Sequence, residues 1–291
     1  MARIEWQTVG LLVLCYLSWL ALTVGHAAVP PVVLLPALAL VIGFHTSLQH
    51  EIIHGHPTRS PLANTLLALP ALNLFTPYLR YYDTHIKHHE VEHLTNPHED
   101  PESYYLTAGQ WQQTPPWLRT LHRANYTLLG RIVLGPALIL PLSWYEDGKA
   151  LLAGKQRVQQ AWLLHALMVG LVLAWLHGCG FPVWLYLLAN YVAYGVMLVR
   201  SFIEHRAVPV PAERSIIVES RGLLSFLFLN NNLHALHHLQ PSLPWYQLRT
   251  VYAQQREHIL QVNGGYWFRS YAEIARRYAL YPKSDVQHPW L

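Results

Sequence analysis

The chain has 291 residues, 52% of them hydrophobic and only 12% charged, about half the charge density of an ordinary soluble domain. Its net charge of +4 comes without any interleaved basic and aromatic motif, so no nucleic-acid partner is expected. Two cysteines, Cys15 and Cys179, exclude a disulfide framework and any four-cysteine zinc or rubredoxin-type centre, whereas the 19 histidines demand an explanation.

Residues 6–50 contain no Lys, Arg, Asp or Glu, and neither do residues 158–199. A helix needs about 20 apolar residues to cross the hydrocarbon core, so each gap accommodates two crossings and a turn. Pro30 and Pro31 break the first gap, and Gly178, Gly180 and Pro182 break the second. The expected helices are 6–26, 31–52, 160–177 and 183–205. The first is too long, and lacks the small-residue cleavage pattern, to be a removable signal peptide. Neither turn holds a Lys or Arg, so the positive-inside rule places both turns outside. Both termini and residues 53–157 are then cytoplasmic, probing an inner or plasma membrane from within. Residues 61–82, interrupted by Pro70 and Pro77, suit a helix lying in the interface. Residues 128–145, with Arg131, Pro136 and Pro141, suit a re-entrant or interfacial segment. Residues 245–262 and 266–281 read as amphipathic helices broken at Gly264 and Gly265, placed to cover the site from the cytoplasm. The expectation is thus one all-α integral-membrane domain over 1–291. Its four transmembrane helices form two hairpins beneath a cytoplasmic helical cap.

Three histidine clusters follow these helices. His50-Glu-Ile-Ile-His54 fits H-E-x-x-H, the zinc-protease spacing. His85-Ile-Lys-His88-His89 and His234-Ala-Leu-His237-His238 both read H-x-x-H-H, and residues at i, i+3 and i+4 share one helical face. With His205, at the end of the fourth helix, there are nine candidate ligands: His50, His54, His85, His88, His89, His205, His234, His237 and His238. All fall at one membrane face. Nine neutral imidazoles exceed what one ion takes and suit two ions with four or five nitrogens each. A zinc protease uses one ion and three protein ligands, so that reading is set aside. The spacing alone does not choose among iron, zinc and copper. Metal-bound imidazoles need acceptors behind them. The candidates for such outer roles are Glu51, Asp83, His93, Asp100, Glu204 and Asn230, the last also being a helix N-cap by type. Arg59 and Arg80 are candidate substrate-headgroup contacts.

The box set, with His98-Glu-Asp-Pro-Glu-Ser103 and the L-Q-P-S-L-P-W-Y-Q-L run at 239–248, resembles the integral-membrane fatty acid desaturase and hydroxylase superfamily over about residues 45–248. The resemblance implies a non-haem di-iron centre (Fe2+/Fe3+) that uses O2 as co-substrate, with His205 matching the family's lone extra histidine. It implies an O2-dependent oxidoreductase acting on C–H bonds of a fatty acyl or alkyl chain. Three residues separate the first-box histidines, as in the superfamily's alkane hydroxylases and carotenoid ketolases, and Glu204-His205 also resembles the alkane hydroxylase pattern. The second box has the desaturase spacing. Desaturation is the favoured reaction, with alkyl or acyl hydroxylation and oxidative decarboxylation as alternatives on the same scaffold. A non-redox metal-binding or transport membrane protein is the alternative from another class. An external electron donor is expected, either ferredoxin, rubredoxin or a haem protein with its reductase. The lipid bilayer is expected to be the source of substrate.

Overall fold

The computed structural model describes residues 4–291. In chain order its helices are α1 (Trp6–Val24), α2 (Pro31–Ile53), α3 (Pro61–Ala68), α4 (Tyr78–Glu90), α5 (Ala108–Gln113), α6 (Pro116–Asn125), α7 (Leu128–Leu152), α8 (Gln156–Gly178), α9 (Val183–Glu204), α10 (Leu223–Leu227), α11 (His234–Leu239), α12 (Trp245–Val262) and α13 (Tyr271–Tyr278). Two two-residue strands, β1 (Ile217–Val218) and β2 (Trp267–Phe268), pair in parallel, with Ile217 opposite Trp267. The class is all-α. The residues gather into two compact units, one of 1–83 and 137–194, the other of 84–136 and 195–291.

In the first unit the proline and glycine signals act as the sequence indicates. Gly25 ends α1, and Pro31 opens α2 at the position where its missing N–H costs nothing. The core is made by Trp19 of α1, Leu34, Leu38 and Ile42 of α2, Val172 and Leu176 of α8, and Leu185, Tyr186 and Ala189 of α9. Many outward residues on these helices are large and apolar, including Leu14, Val32, Leu163, Leu167 and Trp184. That is the surface a bilayer solvates. Five helices, α1, α2, α7, α8 and α9, are long and apolar enough to cross a membrane.

Residues 69–77 depart from expectation. The interfacial helix anticipated over 61–82 is in fact α3, then an irregular stretch, then the start of α4. Pro70 and Pro77 explain the break, since neither can donate to a helix ladder. The irregular backbone is buried in the core, with Ala71 and Leu72 almost fully covered. Side chains satisfy its polar groups. Asn190 Oδ1 accepts from the Leu74 amide at 2.8 Å, and Tyr186 donates its hydroxyl to the Leu72 carbonyl at 2.9 Å. His165 Nε2 lies 3.0 Å from the Leu74 carbonyl, and Trp144 Nε1 donates to the Phe75 carbonyl at 2.9 Å. Non-helical backbone within an apolar layer persists only with such internal partners. By contrast α7, where a re-entrant or interfacial segment was expected, runs unbroken through Pro136 and Pro141.

The second unit carries the remaining chemistry. α11 packs under α12 through Leu233, Leu236, Leu248, Tyr252 and Ile259, so the amphipathic α12 covers the third histidine box within this unit. The chain turns after α12 at Gly264, whose φ of +61° and close approach to the Glu213 side chain both select glycine.

Candidate metal centre

α4 and α11 present their histidines as the i, i+3, i+4 spacing requires. In the second unit His88 Nε2 lies 3.1 Å from His205 Nε2, His205 Nε2 3.0 Å from His234 Nε2, and His234 Nε2 3.1 Å from His238 Nε2. The ligand atoms of these four residues all lie within 4.8 Å of one another. A second chain of contacts runs from His85 Nε2 to His89 Nε2 and on to His237 Nε2, each step 3.1 Å. The two chains meet where the His89 and His238 rings stack, 4.2 Å between centroids. In the first unit His50 and His54 sit one turn apart at the end of α2, ring centroids 4.9 Å apart.

The outer nitrogens are held separately. His88 Nδ1 is 2.7 Å from Asp100 Oδ1, His85 Nδ1 is 2.8 Å from Glu102 Oε1, and His205 Nδ1 is 3.2 Å from the Ser215 hydroxyl. His234 Nδ1 faces Asn231 Oδ1 at 3.2 Å and Glu204 Oε1 at 3.3 Å. With carboxylate and amide oxygens accepting at Nδ1, the imidazole protons lie outward and the Nε2 lone pairs converge. His205 Nε2 faces two other Nε2 atoms, and converging lone pairs repel unless a cation lies among them. Ligands at right angles on bonds of about 2.1 Å stand about 3.0 Å apart, against about 3.4 Å in a tetrahedron. The observed 3.0–3.1 Å is close to the separation of neighbouring donors around one ion. The donor set fits a metal.

Electrostatics point the same way. Burial, reinforced by neighbouring imidazoles, holds His205, His234 and His238 well below the ordinary histidine range, so they are neutral and ligand-ready. Burial and the nearby His85 and His88 bring His89 down to about 3. His88 differs. Burial disfavours its charge, but Glu102 and Asp100 outweigh it and raise the group to about 9. Asp100 keeps the His88 Nδ1–H in place, and a proton at Nε2 competes with an ion for that nitrogen. Glu102 is held far below the carboxylate range: its burial would raise it, and His85 and His88 more than reverse that.

The sequence model for fatty acid desaturases matches residues 27–270. The chain belongs to the fatty acid desaturase family. No curated protein matches it. As a desaturase-family chain it is a membrane oxidoreductase with histidine boxes, and the family is generally di-iron and acts on fatty acyl substrates in a lipid bilayer.

The outer residues fall out unevenly. Asp100, 4% exposed, backs His88, and Glu204 reaches both His234 and Arg200. Asp83 backs no imidazole in the contacts found here; it forms a two-pronged pair with Arg157, within 2.9–3.2 Å. Arg80 is tied to Asp147 at 2.9 Å. His93 is half exposed and pairs with Glu99, outside the cluster. Asn230 is neither N-cap nor metal neighbour. It sits at φ +59°, which asparagine tolerates, donates to the Trp245 carbonyl and accepts from Arg249 at 2.6 Å. Leu233 occupies the N-cap position of α11 without a side-chain cap. Glu51 is 6% exposed in the last turn of α2, with Oε1 3.8 Å from His56 Nε2. Glu102, Asn231 and Ser215 were not anticipated. Glu102 lies two residues past Asp100, and the tight turn at 96–103 delivers both carboxylates to one helix. The H-E-D-P-E-S run was the available signal for it.

Proposed function

We propose that this chain is an O2-dependent di-iron oxidoreductase that removes hydrogen from C–H bonds of a fatty acyl or alkyl chain, with desaturation its favoured outcome. The observation that carries the reading is the convergence of His88, His205, His234 and His238 through Nε2, each of the first three braced at Nδ1. The eight box histidines, with His205, serve as the ligands of two non-haem irons. Bound there, the irons supply the O2 activation and the redox equivalents for C–H oxidation.

The protein's own residues do the rest. Asp100, Glu102 and Asn231 fix the tautomers and ring orientations of His88, His85 and His234. This keeps the Nε2 donors open and pre-aligned. His85, His88 and His234 are about 1% exposed, so water is excluded from the inner donors. Two cysteines cannot form a four-cysteine redox centre, and the electrons are delivered by a ferredoxin, rubredoxin or haem protein with its reductase. The lack of Lys and Arg in both apolar turns supports termini and boxes on the cytoplasmic side, with α1, α2, α8 and α9 as the crossings.

Hydroxylation is the second reading, favoured by the three-residue spacing of the first box and by Glu204-His205. Mass spectrometry of lipids and free acids from expressing cells tests both, with His237→Ala as control. Loss of two hydrogens supports desaturation and gain of one oxygen supports hydroxylation. Neither change, together with tight zinc and no O2 uptake by the purified protein, overturns the enzyme assignment in favour of a non-redox metal-binding protein.

A further inference from the structure

A third group of donors lies in the first unit, apart from the nine histidines. Glu5 immediately precedes α1, Glu51 lies in the last turn of α2, and His56 follows that helix. Their ligand atoms lie within 4.8 Å of one another. His56 is 6% exposed, and its Nδ1 is 2.8 Å from Glu5 Oε1. Its Nε2 is buried without a hydrogen-bond partner and faces Glu51 Oε1 at 3.8 Å. Glu5 Oε2 is also buried without a hydrogen-bond partner.

A separation of 3.8 Å is too long for a hydrogen bond. It falls within the span of two donors around one ion, about 3.0 Å at right angles to about 4.2 Å when opposite, for bonds of about 2.1 Å. Two carboxylates beside an open imidazole nitrogen form a donor set for Mn2+, Fe2+ or Zn2+, and leave further positions for water.

We propose that Glu5, Glu51 and His56 bind one divalent cation, distinct from the redox pair. The ion clamps the entry to α1 against the end of α2, the turn that carries His50 and His54. Its role is to tie the chain entering α1 to the end of α2, and the assignment stands whether or not the chain desaturates lipids.

The test titrates iron-loaded full-length protein in detergent with Mn2+ alone, reading free Mn2+ by electron paramagnetic resonance and iron by metal analysis. One Mn2+ per chain is expected beyond the iron. Binding should weaken at least tenfold in Glu5→Gln and in His56→Gln, with iron content unchanged. A second readout needs no variant: the bound Mn2+ should show hyperfine coupling to one imidazole nitrogen in pulsed measurements. Absence of uptake by the wild type, absence of nitrogen coupling, equal uptake in both variants, or uptake matched ion for ion by iron release each overturns the assignment.

Discussion

Replacing Asp100 by asparagine tests whether the acceptor behind His88 governs metal binding. Asp100 takes three donors: the His88 Nδ1–H at 2.7 Å and the Glu102 amide at 2.9 Å on Oδ1, and the Thr95 amide at 2.8 Å on Oδ2. Asparagine keeps the shape but has one oxygen. If that oxygen stays with His88 and Glu102, the new NH2 opposes the Thr95 amide, leaving a buried donor unpaired at a cost of about 1–3 kcal/mol in stability. If the amide flips, its NH2 faces His88 Nδ1. The imidazole proton then moves to Nε2 and closes that nitrogen to the metal. Loss of such a supporting acceptor lowers metal affinity about 10–100-fold, or about 1.4–2.8 kcal/mol. The assay is competition for iron against a graded chelator on purified Asp100→Asn, with thermal unfolding in parallel. Wild-type iron affinity together with wild-type thermal stability would refute the reasoning, because one orientation of the amide must cost stability and the other must cost iron affinity.

Five other substitutions have defined outcomes. His237→Ala should lose iron and activity, whereas His93→Ala, which alters only an exposed pair with Glu99, should keep both by metal analysis and O2 uptake. Tyr186→Phe leaves the Leu72 carbonyl and the Trp19 indole N–H without their buried partner, so the thermal midpoint in detergent should fall by the equivalent of about 1–3 kcal/mol. Glu102→Gln should release the charge that holds His85 Nδ1 and weaken iron binding in the same chelator assay. Burial alone would raise Glu219, but hydrogen bonds from Arg256 and Tyr252 lower it below the ordinary glutamate value. A carboxylate whose folded value is depressed adds stability above its unfolded value of about 4.3 and loses it as pH falls through the folded value. Acid unfolding should therefore flatten in Glu219→Gln when melting is followed from pH 7 to pH 3.

Much of this was legible because charge is so scarce. Where 45 successive residues carry none, the helices can only be apolar and the breakers stand out; α1, α2, α8 and α9 lie within a few residues of their expected limits. Box spacing is likewise a local property, so the faces of α4 and α11 could be read directly. What depends on distant partners could not. Residues 69–77 and 128–145 are both apolar and both hold two prolines, yet only the first is irregular. Asn190, Tyr186, His165 and Trp144 make the difference, and all four are more than 65 positions away in sequence from the groups they satisfy. The same limit hid Glu102, whose approach to His85 depends on the turn at 96–103, and misassigned Asp83, whose partner Arg157 lies 74 positions away.

The connectivity limits how many of the five apolar helices cross. His88 and His205 bring their Nε2 atoms within 3.1 Å, so they lie on one side of the bilayer, and between them the chain runs through α7, α8 and α9. An odd number of crossings would put them on opposite sides, so one of the three does not cross. α7 is the one that carries Arg131, Glu146, Asp147 and Lys149. Leu129 donates its amide to the Ala279 carbonyl, and Asp147 holds Arg80 of α4, while Arg157 just beyond α7 holds Asp83. The proposed topology of four crossings therefore has α7 lie along the membrane surface. In a background with Cys15 and Cys179 replaced by alanine, a cysteine at Lys155 should label with a membrane-impermeant maleimide from the same side as one at His98, and from the side opposite one at Ala27. Labelling of position 155 together with position 27 would require α7 to cross, and the helix that does not cross would then have to be α8 or α9.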